Sequence, residues 1–147
     1  MTQTAASGDH RIVVGVNGSP DSMRALQWAA DYAAMSGVAL EIVATWKYTT
    51  NYGWSAVPTD FDPVADITEN LGPSIELVRA AHPTIAMTLT VIEGEPAQRL
   101  VEYSKGADLL VVGTRGHREF TGMLVGSVSQ NCLTHAHCPV VVVRATA

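Results

Sequence analysis

Short apolar runs alternate with longer segments of helical character along most of this chain. Residues 11–16 and 107–112 are nearly continuous aliphatic runs, as expected of strands that are covered on both faces. Residues 84–92 alternate apolar side chains with Thr and Ala, which indicates another strand. Two further apolar runs, at 38–46 and 139–144, complete a set of five predicted strands.

Helical patterns fill the intervals between these strands. We predict helices at residues 20–36, 63–81, 95–105 and 127–135. Ser19 is a suitable N-cap for the first helix, Pro20 suits its first turn, and Asp21 complements the helix dipole. Its small and apolar residues recur on one stripe that fits closely against a sheet, namely Leu26, Ala29, Ala30 and Ala33.

Two regions interrupt this regularity. The Gly72-Pro73 pair falls inside the second predicted helix, and because proline lacks the amide donor we expect a kink or a split there. Residues 47–62 show no period and are predicted to form a flexible loop. Trp28 is expected in the core, whereas the aromatic residues around the loop are candidates for a stacking surface, a lid or a subunit contact, namely Trp46, Tyr48, Tyr52 and Trp54.

The alternation of strands and helices predicts an α/β domain with a parallel sheet, right-handed crossovers and helices on both faces. Ligands of such sheets bind beyond the carboxyl ends of the strands, so the loops that follow Val16 and Val112 are the candidate site. A chain of 147 residues is about one domain long. We expect that domain to span residues 11–147, after a disordered segment at 1–10.

Composition excludes several classes of function. The net charge of −5 argues against a nucleic-acid binder, which needs clustered Lys and Arg. No apolar run approaches the length of a membrane span, and the first ten residues lack a signal-peptide pattern, so we expect a cytoplasmic protein. Cys132 and Cys138 indicate neither a disulfide framework nor a zinc site, even with His135 and His137 nearby.

A glycine motif follows the fourth predicted strand. Gly113 and Gly116 are followed by Gly126-Ser127, in the spacing G-x2-G-x9-G-[ST]. We expect Gly113 to let the chain leave the strand at an angle closed to other residues, and Gly116 to let backbone approach a ligand. Gly126-Ser127 opens a helix whose free amides and dipole attract an anion. The motif therefore predicts a phosphate-binding loop, without the Lys of a Walker sequence.

This motif resembles the signature of the ATP-binding branch of the universal stress protein family. The similarity extends over nearly the whole chain, through Gly15, Gly18-Ser19 and the segments 93–96, 107–113 and 138–142. The resemblance implies an adenine nucleotide alpha hydrolase-like fold, with five parallel strands in the flavodoxin-like order 3-2-1-4-5.

The resemblance also implies which residues bind the nucleotide. The implied ligand-binding residues are Gly15, Asn17, Thr45, Val112, Gly113, Thr114, Arg115, Gly116, His117, Gly126, Ser127 and Val128. Arg115, His117 and Arg118 are cations that can compensate phosphate charge, or they belong to a solvated loop. Asn17 departs from the family, which usually carries Asp there; it can bond the nucleoside, or it can simply support the Asn-Gly turn.

Three functional hypotheses follow. The first is a homodimeric, ATP-binding stress regulator whose triphosphate is accompanied by Mg²⁺ or Mn²⁺. Hydrolysis would be slow at most, since no residue is an obvious base and nothing orients Glu119. The second is a protein that binds AMP or cyclic AMP, and the third is a dimerization module with a vestigial site. The resemblance places the homodimer contact at the C-terminal strand, residues 139–144.

Overall fold

The computed structural model describes residues 10–47, 62–114 and 126–144. Within them five strands form a single parallel sheet in the order β3-β2-β1-β4-β5. The strands are β1 (Arg11–Gly15), β2 (Ala39–Trp46), β3 (Met87–Glu93), β4 (Leu109–Gly113) and β5 (Val140–Val143). This confirms the predicted fold class and strand order.

Four helices cover the two faces of the sheet. They are α1 (Pro20–Ser36), α2 (Pro63–Ala81), α3 (Pro96–Tyr103) and α4 (Ser127–His135). One face packs against α1 and α2 and contains most of the buried core. The other face packs against α3 and α4 through a smaller cluster that includes Leu100 and Cys132. Because side chains alternate along each buried strand, one strand supplies both clusters.

Helix α1 forms as its sequence predicts. The Ser19 hydroxyl accepts a hydrogen bond from the Ser22 amide at 3.2 Å, and Pro20 occupies the first turn. The predicted stripe of Leu26 and alanines is fully buried against the sheet. Gly37 ends the helix with φ 72°, a conformation that costs little only for glycine.

Helix α2 corrects the expectation of a split at Gly72-Pro73, since it is helical without interruption from Pro63 to Ala81. Proline normally excludes the helical conformation of the preceding residue, in part through that residue's Cβ. Gly72 has no Cβ, so this part of the conflict with Pro73 is absent. Buried Leu71, Ile75 and Val78 anchor both halves of the helix to the sheet, which offsets the hydrogen bond lost at Pro73.

Two other expectations are wrong in detail. Strand β3 begins at Met87 rather than at residue 84, because residues 82–85 form a turn in which the Ile85 amide bonds the His82 carbonyl. Trp28 does not lie in the core: its side chain is 37% exposed and stacks on Tyr32, with ring centroids 5.2 Å apart. The helical period alone does not separate the edge of an apolar stripe from its centre.

No helix within the described ranges is long and apolar enough to cross a membrane. The predicted disordered segment at 1–10 lies outside these ranges except for His10. The same holds for the predicted loop, apart from Lys47 and Asp62, and therefore for Tyr48, Tyr52 and Trp54.

Candidate functional site

A cavity of about 840 Å³ opens at the carboxyl ends of β1, β2 and β4. This is the position where parallel α/β sheets bind ligands, because neighbouring crossovers diverge there to opposite faces. Strand β1 lies in the middle of the sheet, so the cavity has a β2 side and a β4 side, each one strand spacing away.

Eight of the twelve predicted site residues line this cavity. They are Gly15, Asn17, Thr45, Val112, Gly113, Gly126, Ser127 and Val128. Thr114 is buried beside the cavity without lining it, and its side chain bonds Asp21 instead. Arg115, Gly116 and His117 lie outside the described residues, as do Arg118 and Glu119.

The amino terminus of α4 supplies the β4 side of the cavity. Gly126 is its N-cap residue, and no side chain caps the first turn. The amides of that turn therefore lack an intrahelical acceptor, and they carry the positive end of the helix dipole. Since Ser127 and Val128 both line the cavity, their amides give it an end suited to an anion.

Thr114 positions this helix against the sheet. Its carbonyl accepts hydrogen bonds from the Gly126 amide and from the Ser129 hydroxyl, and its own amide donates to the Val143 carbonyl at 2.9 Å. The Ser129 hydroxyl also donates to the Gly113 carbonyl. Thr114 and Gly126 are thereby held together beside the cavity.

Gly113 is required for a reason other than the one the sequence indicated. Its φ is not positive, so the backbone angle is open to any residue. A Cβ at this position would lie 2.7 Å from the carbonyl carbon and Cβ of Asp21, at the start of α1. The missing side chain therefore allows α1 to approach the end of β4. The missing side chain of Gly15 likewise lets Leu100 pack close to β1, since its Cδ1 would lie 2.7 Å from an added Cβ.

Asn17 is built into the turn that follows β1. Its Oδ1 accepts a hydrogen bond from the Ser19 amide at 2.9 Å, and its own amide donates to the Ser22 hydroxyl at 3.1 Å. This is an Asx turn, which either Asn or Asp can form. With Oδ1 engaged, the side chain offers its amide nitrogen to the cavity, where an Asp would offer a second carboxylate oxygen.

The β2 side of the cavity is mainly apolar and was largely missed by the sequence reasoning. Helix α2 contributes Ile67 and Leu71 together with the amide of Asn70, and Pro96 and Leu100 come from α3. The signal in the sequence was the spacing of Ile67, Asn70 and Leu71, which share one helix face. Only the tertiary structure shows that this face borders the cavity.

Charge is sparse in the described lining of the cavity. None of its described residues is an Asp, Glu, Lys or Arg. Lys47, just after β2, pairs with Glu95 at the start of α3. Across the described ranges, no three His, Cys, Asp or Glu side chains come together as metal ligands. Burial raises the pKa of the Cys132 thiol to about 11, so this thiol is not a nucleophile at neutral pH.

The described geometry can be compared with known proteins. The model of the universal stress protein family matches residues 10–144, which is most of the chain. The chain belongs to the universal stress protein family. A universal stress protein of Mycobacterium tuberculosis is 34% identical over 134 residues, a match that covers 90% of this chain and 44% of that protein. This family member thus spans less than half the length of that relative.

Solved universal stress proteins share the fold. One that was crystallised in complex with cAMP is 29% identical, has a TM-score of 0.71, and is matched over 93% of this chain and 98% of its own. Another, from Archaeoglobus fulgidus and in complex with dAMP, is 21% identical with a TM-score of 0.66, over 91% and 97% of the two chains. At that identity the second likeness concerns the fold alone.

Proposed function

We propose that this universal stress protein binds an adenine nucleotide, with ATP as the first candidate, and acts as a nucleotide-dependent regulator of a stress response in the cytoplasm. The observation that supports it is a single cavity with two chemically different ends. The uncapped amides of α4 lie at one end, and the apolar face of α2 lies at the other.

The dimensions of the cavity fit such a ligand. Strands β2 and β4 flank β1, so their carboxyl ends are two strand spacings apart, about 10 Å. A base that packs against Ile67 and Leu71 would place its ribose over the end of β1. Its phosphates would then reach the amides of Ser127 and Val128. Adenine has no charge and suits an apolar wall, whereas phosphate requires donors.

A bound metal ion fits this arrangement only through the ligand. The described lining contains no carboxylate, so Mg²⁺ or Mn²⁺ would be held by phosphate oxygens and water. The ion would neutralise part of the triphosphate charge. Neither ion needs a protein ligand for the binding proposed here.

The alternative ligands are AMP and cyclic AMP, and the complex of the 29% identical universal stress protein with cAMP supports them. One of the two solved proteins holds cAMP and the other dAMP. A single phosphate would use the same α4 amides, so the cavity accommodates both kinds of ligand. Titration calorimetry with ATP, ADP, AMP and cAMP, with and without Mg²⁺, distinguishes them. Tightest binding of ATP supports the first proposal, and tightest binding of a monophosphate replaces it with the second.

A variant at the α4 amino terminus tests the phosphate end directly. Gly126 has φ −76° and ψ 174°, angles that any residue adopts, so Gly126→Val should fold while its side chain covers the amides. We expect a loss of ATP affinity of about tenfold or more. Thr134→Val introduces the same side chain on the exposed part of α4 and should leave affinity unchanged. Equal affinities of both variants, or no binding by the parent protein, would leave dimerization as the function.

We propose the homodimer at the C-terminal strand as part of the same function. Strand β5 is an edge of the sheet. The Leu110 amide donates to the Pro139 carbonyl, and the Thr114 amide to the Val143 carbonyl. Since alternate residues face alternate neighbours, Val140 and Val142 direct their backbone groups away from β4. Exposed groups of this kind pair readily with another strand.

Proline substitution tests this edge without adding charge to the core. Val142→Pro removes an outward N–H, so it should raise the dimer dissociation constant at least about tenfold while the domain remains folded. Val141→Pro removes an N–H that faces β4 and should destabilise the domain itself. Sedimentation and thermal unfolding separate the two effects. A dimer that withstands Val142→Pro would place the interface elsewhere.

A further inference from the structure

The exposed aromatic pair on α1 lies on one definable flank of that helix. Trp28 is 37% exposed and Tyr32 39%, and their rings stack with an interplanar angle of 8°. Both side chains are large, so this exposure leaves a substantial apolar surface uncovered. Trp28 and Tyr32 are hereafter the aromatic pair.

One contact shows which way this flank faces. Asp21 bonds Thr114, which follows β4 and is joined to β5. Residues seven and eleven positions after Asp21 are two and three helical turns away and share its flank. These residues are Trp28 and Tyr32, so the aromatic pair faces the β5 edge.

The opposite face of the sheet carries a matching apolar residue. Leu133 on α4 is 50% exposed. Its neighbour two positions later, His135, lines the groove between α3 and α4. Residues two apart on a helix point in nearly opposite directions, so Leu133 lies on the flank of α4 that faces away from α3. The open edge of β5 therefore has an exposed apolar side chain on each side of it.

The size of β5 shows why this surface is needed. A strand of four residues buries far less than the roughly 1,000 Å² typical of a stable interface. Antiparallel pairing of two β5 edges keeps each face of the sheet continuous, so the α1 helices of both copies lie on the same face. Helix α1 packs over β1 and β4, which would separate the two axes by about 15–20 Å. Helices about 10 Å wide would leave a gap that only large side chains fill.

We infer that the aromatic pair is the principal side-chain contact of a two-fold interface with a second copy of this chain, on the α1 face of paired β5 edges, with Leu133 on the other face. This inference rests on the homodimer proposed above. It adds which side chains contribute most to the free energy of dimerization. A two-fold interface is self-complementary, so each aromatic pair meets the same surface of its partner. Stacked aromatic rings are typical of the residues that dominate binding energy.

The test compares two sets of substitutions on one helix. We expect the double variant Trp28→Lys, Tyr32→Lys to raise the dimer dissociation constant at least about thirtyfold, measured by sedimentation equilibrium. Gln27→Lys is the matched control: Gln27 is exposed, lies two residues from both buried Ala25 and buried Ala29 and therefore faces away from the sheet, and should leave the constant unchanged. Circular dichroism checks the fold, and the milder Trp28→Ala, Tyr32→Ala variant serves if the lysines prevent folding.

The possible outcomes separate this inference from the dimer proposal. Weakening by the aromatic variants and by Val142→Pro, but not by Gln27→Lys, supports it. A dimer that Val142→Pro dissociates and the aromatic variants do not would overturn the inference and leave edge pairing intact. Equal weakening by Gln27→Lys would show a nonspecific charge effect and also overturn it. A parent protein that stays monomeric at about 100 µM would overturn both proposals.

Discussion

Thr114 donates a hydrogen bond from its hydroxyl to the buried carboxylate of Asp21, which precedes it by 93 residues. The bond joins the start of α1 to the end of β4, on either side of the Gly113 backbone. It therefore connects the two loops that the sequence indicated as the candidate site. Buried carboxylates require such donors, because water no longer solvates them.

Thr114→Val should destabilise the domain by about 1–3 kcal/mol, because it removes one hydrogen bond from the Asp21 carboxylate while keeping the shape of the side chain. Urea denaturation measures the change. Thr68→Val is the control: its hydroxyl bonds the Val64 carbonyl at 2.7 Å on the exposed side of α2, and its loss should cost less than about 0.5 kcal/mol. Equal losses of unfolding free energy in the two variants would mean that the bond to Asp21 does not stabilise the domain.

Gly113→Ala and Gly15→Ala should differ in stability although both create contacts at 2.7 Å. At Gly113 the obstacle is the Asp21 backbone, which cannot move without α1, so we expect a loss of about 2–3 kcal/mol. At Gly15 the obstacle is a methyl group of Leu100, which can change rotamer, at a cost of about 1 kcal/mol. Thermal unfolding ranks the two, and the reverse order would contradict this account of Gly113.

His82 should give stability a pH dependence near neutrality. The Val78 carbonyl, 3.0 Å from Nδ1, and the Asp31 carboxylate raise the pKa of His82 above its ordinary 6.5 in the folded state. Its contribution is therefore full below pH 6.5 and is lost as the pH rises through the higher folded pKa. Asp31 is largely exposed, so we expect less than about 1 kcal/mol. Unfolding curves of His82→Gln should lack this decline above pH 6.5.

The two thiols should differ in reactivity. Burial raises the pKa of Cys132 to about 11, and it also raises the pKa of Cys138, which is less buried. At pH 8 on the order of one Cys132 in a thousand is a thiolate. Iodoacetamide should therefore label Cys138 first and reach Cys132 only on unfolding, as peptide mass spectrometry would record. Early labelling of Cys132 would indicate local opening of α4.

Much of the fold follows from local patterns. The limits of α1 and α4 match their predicted residues, since Ser19, Pro20 and Gly37 act on neighbouring backbone. The resemblance to a known family supplied the strand order. The start of β3 was misplaced, because alternating Thr and apolar residues continue into a turn that only its hydrogen bonds distinguish.

The candidate site likewise has one part that the sequence predicted and one part that it did not. Glycine and serine at set spacing indicated the α4 amino terminus, because that chemistry depends on consecutive residues. The apolar wall from Ile67 and Leu71 depends on where α2 crosses the sheet, which no local pattern contains.

The sequence by itself determined the alternation of strands and helices, the amino-terminal cap of α1 and the glycine motif after β4, since each depends on local sequence. Only the tertiary structure decided that the missing side chain of Gly113 makes room for Asp21, and that Trp28 is partly exposed rather than in the core. Both depend on which distant segment packs against the residue. Side-chain burial is a property of that packing, and the helical period leaves it open at the edges of an apolar stripe.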